Sequence, residues 1–399
     1  MKNLLFFILF IYSCSNKSPI ENTQKSLALR IDFTEILKDK KTITISDLAD
    51  SVEYIFFETH ENSLLGKVLD AKFTRKYIFL NHSGSHLLAQ YDRKGNFIRH
   101  IGKNGRGPKE YPRLNQFSVD EKNQLIYIST SWMNKILVYN FNGKYLNTLK
   151  IKFAKGCHGI EWLSDSTFIQ YSPVIFGTEK SFFIHRNQQG DTLQTVDNTI
   201  FWETEVKYAN TRHYFGRKIF YKSKNQLHFK SWYNDTVYVL NADYKITPKY
   251  FIDLGNYKLP NELRPERILS KQIPEKYLWL SVCEVSNYLV IKYSSYDSPN
   301  LGKLPGGYVL FNKNSKQGYV NNNKDALRND LDGGPDFIPE FATDTSLFCF
   351  ISALDFKKHF ETTKLKDKNH PSKINFLSEK VNNLDYQDNH VLMVLNFKK

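Results

Sequence analysis

One short turn recurs along this chain and limits its possible folds more than any other feature. Tyr91-Asp92, then Arg93-Lys94-Gly95-Asn96, then Phe97 and Ile98 returning, reads as a β-hairpin. VYNFNGKYLNTLKI at 138–151 has the same shape, with Asn140 and Gly143 standing where Asp92 and Gly95 stand. Gly95, Gly143 and Gly190 are 48 and 47 residues apart, and further turns lie near Asp243 and Asn314. A four-stranded propeller blade repeats every ~40–50 residues, with insertions confined to loops. A β-sandwich has no reason to repeat a turn at a fixed interval.

The segments between the turns agree. From Thr42 onward, short apolar-alternating runs such as Tyr77-Leu80, Leu125-Ile128, Ile136-Tyr139, Thr167-Tyr171 and Val237-Leu240 are separated by Asp, Asn, Gly and Lys. Residues 60–399 then hold about six blades. Thr42-Ile45 and Val52-Phe57 precede the first repeat, and Val391-Leu395 forms the last strand. Pairing strands from both ends in one blade would close the ring and protect edges that otherwise invite aggregation. Leu354-Phe360 and the polar 361–373 stretch read as an insertion in that last blade. The expected architecture is all-β: a six-bladed β-propeller over 41–399, closed by N- and C-terminal strands in one blade.

The 30 Phe and 24 Tyr suit half-buried pleated strands. The net charge of +14 is spread along the chain, with no dense Lys/Arg run or basic helical stripe. It reads as a lysine-rich solvated surface, and no nucleic-acid partner is expected. A monomer is expected. Cys14, Cys157, Cys283 and Cys349 form no zinc or redox spacing. Cys283 and Cys349 sit in strand-like runs as small core residues.

The N-terminus reads as an address. Lys2 precedes an apolar run, Leu4 to Ile11, that is too short for a bilayer span of about 20 residues. Ile11-Tyr12-Ser13-Cys14 resembles a bacterial lipobox, with Tyr12 where a small residue is usual. The resemblance implies a signal peptide at 1–13, lipid on the Cys14 thiol, and a tether over 14–40 that carries a marginal strand or helix at Leu27-Leu37. A lipid anchor in the cell envelope, on the outer membrane or a periplasmic face, follows from that reading.

Several motifs together resemble the six-bladed, NHL-like β-propeller lipoproteins of Bacteroides-type bacteria. They are Ile45-Ser46-Asp47-Leu48-Ala49-Asp50-Ser51-Val52-Glu53-Tyr54-Ile55; Ile101-Gly102 with Gly105-Arg106-Gly107-Pro108-Lys109-Glu110-Tyr111; Asn234-Asp235-Thr236-Val237-Tyr238; Asp332-Gly333-Gly334-Pro335; and Asp388-Asn389-His390-Val391-Leu392. The match covers about 40–399. It implies a fold and an envelope location, not a reaction.

The residues offer few chemical constellations. The Gly102-Pro108 loop lacks the following Gly-Lys-Ser/Thr and helix of a phosphate loop, so it reads as an inter-blade turn. Loops leaving the blades gather near the axis, so Arg106, Glu110, Tyr111 and Arg113 are candidate ligand contacts. Asp332 and Asp336 flank Gly333-Gly334-Pro335 and are candidates for a sugar hydroxyl or Ca²⁺, against a plain capping role. His82 and His86 have metal-like spacing, but Gly84 argues for a loop between them. Cys157-His158 would point to opposite faces of a strand and could not easily share a proton. Trp132, Trp162, Trp202 and Trp232 read mainly as blade packing. No catalytic residue, resident metal or cofactor is assigned. The preferred function is a binding or scaffold module taking a glycan, peptide or envelope protein. The alternative is a metal-dependent hydrolase or lyase, which needs three or more His, Asp or Glu converging at the channel.

Overall fold

Each recurring turn joins the third and fourth strands of one blade in a six-bladed β-propeller. The computed structural model describes residues 28–398 apart from 131–134, 152–158, 164–165, 175–177, 200, 202–218, 232–233, 264–273, 275, 296–305, 323–325 and 363–370. The N-terminal segment contributes β1 (Leu29–Asp32), a helical turn α1 (Phe33–Ile36), β2 (Lys40–Lys41) and β3 (Ala49–Phe56). Blade 1 is β4 (Val68–Phe73), β5 (Tyr77–His82), β6 (Leu88–Asp92) and β7 (Phe97–Ile101). Blade 2 is β8 (Gln116–Asp120), β9 (Leu125–Thr130), β10 (Lys135–Asn140) and β11 (Tyr145–Lys150). Blade 3 is β12 (Gly159–Trp162), β13 (Thr167–Tyr171), β14 (Ser181–Asn187) and β15 (Thr192–Asp197). Blade 4 is β16 (Phe220–Ser223), β17 (Gln226–Phe229), β18 (Thr236–Leu240) and β19 (Ile246–Asp253). Blade 5 is β20 (Leu278–Val285), β21 (Tyr288–Ser295), β22 (Gly306–Asn312) and β23 (Gln317–Asn321). Blade 6 takes β24 (Phe341–Ala342), β25 (Ser346–Ile351) and β26 (Val391–Phe397) from the C-terminal part, and β3 as its outer strand.

The turn has a consistent chemistry. The side chain of Asp92 accepts from the N–H groups of Lys94 (2.8 Å) and Asn96 (2.9 Å). Asn140 accepts likewise from Asn142 and Lys144, and Asn187 from Asp191. Gly95, Gly143 and Gly190 follow with φ of 92°, 76° and 92°, a region that costs glycine little. In blades 1 to 4 the pairing register shifts near the same place, between the third and fourth strands. Such bulges increase the local right-handed twist, which each blade needs to wrap around an axis.

A separate apolar cluster fills each junction between neighbouring blades. Phe79 and Ile101 meet Phe117 and Tyr139 between blades 1 and 2. Ile78 and Leu80 meet Ile55 and Leu392 between blades 1 and 6. The core is therefore a ring of six clusters and not a single centre.

The N-terminal segment folds earlier than its sequence suggests. β1 runs parallel to β19 as a fifth strand of blade 4, and β2 runs parallel to β23 in blade 5. Residues 29–36, within the stretch expected as a tether, instead belong to the propeller: Ile31 and Phe33 are buried in the junction of blades 4 and 5. Asp32 caps α1 by accepting from Thr34 and Glu35. The strand expected over Thr42-Ile45 shrinks to a single bridge from Thr44 to Arg328, because Asp47 draws the Thr44 N–H into a 3₁₀ turn. The insertion in blade 6 is two helices, α2 (Ala353–Thr362) and α3 (Pro371–Asn383), packed through Phe356, Leu377 and Val381.

Closure centres on Asn389. Its Oδ1 accepts from Leu65 N (2.7 Å), and its Nδ2 donates to Glu58 O (2.7 Å) and Ser63 O (2.8 Å). The residue is buried, and it ties the start of β26 to the loop that follows β3. Asn389→Ala leaves an N–H and two carbonyls without these partners. The expected cost is ~2–4 kcal/mol, from the usual range for buried unsatisfied polar groups. Denaturant unfolding of the variant measures it, and a loss below ~1 kcal/mol would remove Asn389 from this role.

Candidate functional site

The first strands of the blades face the axis. Together with the adjoining turns they line a cavity of about 1020 Å³. All six blades contribute, through side chains that include Lys72, Glu121, Trp162, Lys222, Cys283 and Asp344. In an antiparallel meander, the turns between first and second strands and between third and fourth strands share one face. Thr74, Lys122, Asn225, Tyr244 and Asp344, all on such turns, line the cavity, so its mouth is on that face.

The floor is a row of alternating charges. Lys72 Nζ stands 3.9 Å from Asp70 Oδ2 and 3.8 Å from Glu161 Oε2. Lys222 Nζ stands 3.5 Å from Glu161 Oε1 and reaches Val119 O at 3.4 Å. Four blades thus meet near the axis through two lysines and one almost fully buried glutamate. Burial opposes the charge on Lys72, but Asp70 and Glu161 outweigh it and raise its pKa above the ordinary lysine value.

The other carboxylates around the cavity hold backbone turns. Glu121 accepts from Arg75 N (2.7 Å), Asp344 from Lys224 N (2.7 Å), and Glu340 from Phe350 N (3.0 Å). Asp120 holds Asn123 through both its N–H and its side-chain amide.

A second charged cluster lies behind Tyr221, between blades 4 and 5. Glu284 is buried and accepts from Lys313 (2.8 Å), Tyr221 (3.0 Å), Lys249 (3.1 Å) and Tyr250 (3.1 Å). Burial would raise the Glu284 pKa, but Lys313, Lys249 and His228 bring it down to about 2. His228 stacks on Tyr221, and its Nε2 faces Lys249 Nζ at 2.7 Å. Burial first, and then the charge of Lys249, lower the His228 pKa to about 4. A neutral imidazole then donates from Nδ1 to Gln226 O and accepts at Nε2 from Lys249. No sequence pattern announced this cluster, because its members sit on four strands and a turn of two blades.

Of the six candidate ligand residues, Tyr111 and Asp332 are buried, whereas Arg106, Arg113 and Asp336 are exposed. The Gly102-Tyr111 loop joins blade 1 to blade 2, so it lies on the face opposite the cavity mouth. Arg106 and Arg113 are exposed there. Glu110 folds back to accept from Gly107 N (3.0 Å), and a Cβ on Gly105 would strike its carboxylate at 2.0 Å. Tyr111 is fully buried between blades 1 and 2, where its hydroxyl donates to Ile101 O and accepts from Leu88 N. Tyr111 is a blade lock, not an exposed contact. Asp332 is likewise buried, held by Tyr54 Oη (3.0 Å), Asn329 Nδ2 (2.8 Å) and Gly334 N (3.1 Å). Asp336 is exposed and accepts from Asn329 N.

His82 is buried and accepts from Gly66 N, whereas His86 is exposed, so the two do not converge. Among the described residues, no three His, Cys, Asp or Glu side chains are placed to hold a metal ion. Trp162 stacks between Tyr127 and Phe168. Cys14, Cys157, His158, Trp132, Trp202 and Trp232 lie outside the described residues.

Ring closure and six inter-blade cores around an axial cavity define a six-bladed β-propeller. The family model described as Domain of unknown function (DUF4934) matches residues 28–396, and the chain belongs to that family. A Bacteroides fragilis protein described as exported has a similar crystal structure, with a TM-score of 0.66 and 16% identity over 93% of this chain and 99% of that one. A member of the DUF4221 family from Bacteroides vulgatus is similar at a TM-score of 0.51 and 12% identity, over 88% and 97% of the two chains. At these identities the likeness is one of fold. No curated protein matches the chain in sequence.

The buried histidines predict acid sensitivity. His228 and His82 both fall from 6.5 to about 4 on folding, chiefly through burial. Below pH 6.5 the unfolded chain therefore binds protons that the folded one refuses. The stability each neutral ring contributes is complete above pH 6.5 and is lost as pH falls toward 4. For His228 this is about 3 kcal/mol. Unfolding free energies measured between pH 7 and 4.5 are expected to fall, and His228→Gln to flatten that fall by roughly one proton. An unchanged slope in the variant would contradict the assignment.

Proposed function

We propose that the protein is a lipid-anchored, NHL-like envelope lipoprotein whose propeller is a non-catalytic binding module. Its ligand, a glycan or peptide segment or part of an envelope protein, enters the axial cavity. The observation that carries this reading is the cavity itself. Ligand sites are typically concave, largely pre-formed, and about 300–1,000 Å³. This cavity reaches the top of that range, has aromatic walls in Trp162, Phe220 and Tyr221, and keeps a few charged groups at fixed places. The turns around the mouth are pinned across blades, as in the bond from Lys224 N to Asp344, so a ligand meets a rigid rim.

Lys222→Glu tests the site. It sets a second carboxylate beside Glu161 and blocks the floor without touching an inter-blade core. Wild-type protein is expected to retain members of immobilised peptide and oligosaccharide libraries, and the variant to lose them by about tenfold or more. Equal retention of every ligand by a folded variant would rule out the cavity.

The anchor is tested separately. The lipobox resemblance around Cys14 supports acylation there. Cells fed a palmitate analogue are expected to label the wild type, and Cys14→Ala to abolish the label and release the protein from membranes. Label kept by the variant would end the proposal.

A further inference from the structure

Resting on the binding-module reading, we infer that the axial cavity takes a neutral oligosaccharide, with the Asp70-Lys72-Glu161-Lys222 row contacting its hydroxyls and Tyr244 stacking on a sugar ring.

The row alternates acceptor, donor, acceptor and donor across the floor. Its contacts of 3.9, 3.8 and 3.5 Å are longer than charged hydrogen bonds, which lie near 2.7–2.9 Å. The ammonium and carboxylate groups thus offset each other in charge; Asp70 also accepts from Ala71 N (2.9 Å) and Lys222 donates to Val119 O (3.4 Å), but a carboxylate accepts, and an ammonium donates, more than one hydrogen bond. A hydroxyl both donates and accepts. Neighbouring sugar hydroxyls can each donate to a carboxylate and accept from the adjacent ammonium. A charged ligand gains less, because two lysines and two acids cancel at long range, and any single charge is placed near its own kind. A peptide backbone offers N–H and C=O groups of fixed direction, and it suits an open strand edge better than alternating point charges.

Tyr244 is the second observation. It occupies the turn position that Gly95, Gly143 and Gly190 hold in blades 1 to 3, with the same pair of backbone bonds around it. Its φ is 61°, in the left-handed region that disfavours a bulky residue. The residue is 49% exposed, and its ring lies over His185 at 6.3 Å with 22° between the planes. Tyr244 lines the mouth of the axial cavity beside Asn241 and Ala242. A turn that would be more relaxed with glycine therefore presents a flat, half-exposed aromatic surface at the rim. Strained residues of this kind cluster at ligand sites. An aromatic face suits the C–H face of a pyranose, while the hydroxyls at the ring edge reach the polar floor.

The test uses the whole protein on an array of immobilised neutral gluco-, manno-, galacto- and xylo-oligosaccharides, uronic-acid oligosaccharides and peptides. The inference expects neutral oligosaccharides to be retained. Glu161→Gln and Tyr244→Gly should each weaken retention by about tenfold or more, the scale of one lost charged or stacking contact. Tyr244→Gly should keep or raise the melting temperature, because glycine relaxes the turn; this separates a ligand contact from a structural one. Retention of peptides or acidic oligosaccharides alone, lost in Lys222→Glu, overturns the neutral-glycan inference and leaves the binding module standing. Retention of nothing at all overturns both. Neutral oligosaccharides bound equally by both variants overturn the assignment of the row and of Tyr244.

Discussion

The pairing of β26 with β3 is the contact on which the rest depends. It brings Val391 opposite Phe56, and Val394 opposite Glu53, from nearly opposite ends of the chain. Without it, blades 1 and 6 would expose the apolar faces that now meet through Ile55, Leu80 and Leu392. Closing so long a loop costs conformational entropy, although the cost grows only slowly with length. The joint offsets it with a six-residue ladder, the buried Asn389 bonds and an unusually close approach at Gly95. A Cβ there would lie 2.3 Å from Phe56 O. The turn glycine of blade 1 therefore serves two purposes: it supplies positive φ, and it lets the closing strand pass.

The family-like motifs collect at such joints. Tyr54 of the opening motif donates to Asp332 of the DGGP loop, and a Cβ on Gly334 would strike the Tyr54 hydroxyl at 2.0 Å. His359 of α2 then fixes the same loop through Gly333 O at 2.9 Å. Glu110, Gly105 and Tyr111 build the lock between blades 1 and 2. Motifs with this role describe how blades fasten to one another. They identify the architecture and carry little about a ligand, which is why the recognisable segments and the cavity occupy different parts of the molecule.

That separation explains what the sequence could and could not show. The blade count was legible because Asp92, Asn140 and Asn187 make one turn in three places, and such local chemistry is written in adjacent residues. The closing strands were legible because Val52-Ile55 and Val391-Leu395 are apolar runs outside the repeat. β1 and β2 were not, since strands of four and two residues gain their stability from the blades they join. The cavity floor was invisible for a related reason. Lys72, Glu161 and Lys222 lie on three blades and have no spacing in common; only closure of the ring sets both lysines within 4 Å of Glu161. Arg106 belongs to the visible Gly102-Tyr111 motif, which lies on the face opposite the cavity mouth.

Blade 4 departs most from the local rules. Lys224, Asn225 and Tyr244 all have positive φ, at 50°, 58° and 61°, and all three line the cavity. Two of them, Lys224 and Tyr244, are residue types that gain nothing locally from that conformation. A cost of about 1 kcal/mol or more at each persists only where surrounding contacts hold it. Those contacts are present: Asp344 holds the Lys224 turn from blade 6, and the Asn241 and Lys245 backbone holds Tyr244. The same blade carries the extra strand β1 and shares the buried Glu284 cluster with blade 5. Such a cluster stabilises little relative to an apolar core, but it tolerates only one arrangement of its partners. Blade 4 is thus anchored from three sides while its turns are strained. Strain in a well-anchored element has no outlet in local relaxation, and it keeps Lys224 and Tyr244 at the rim of the cavity.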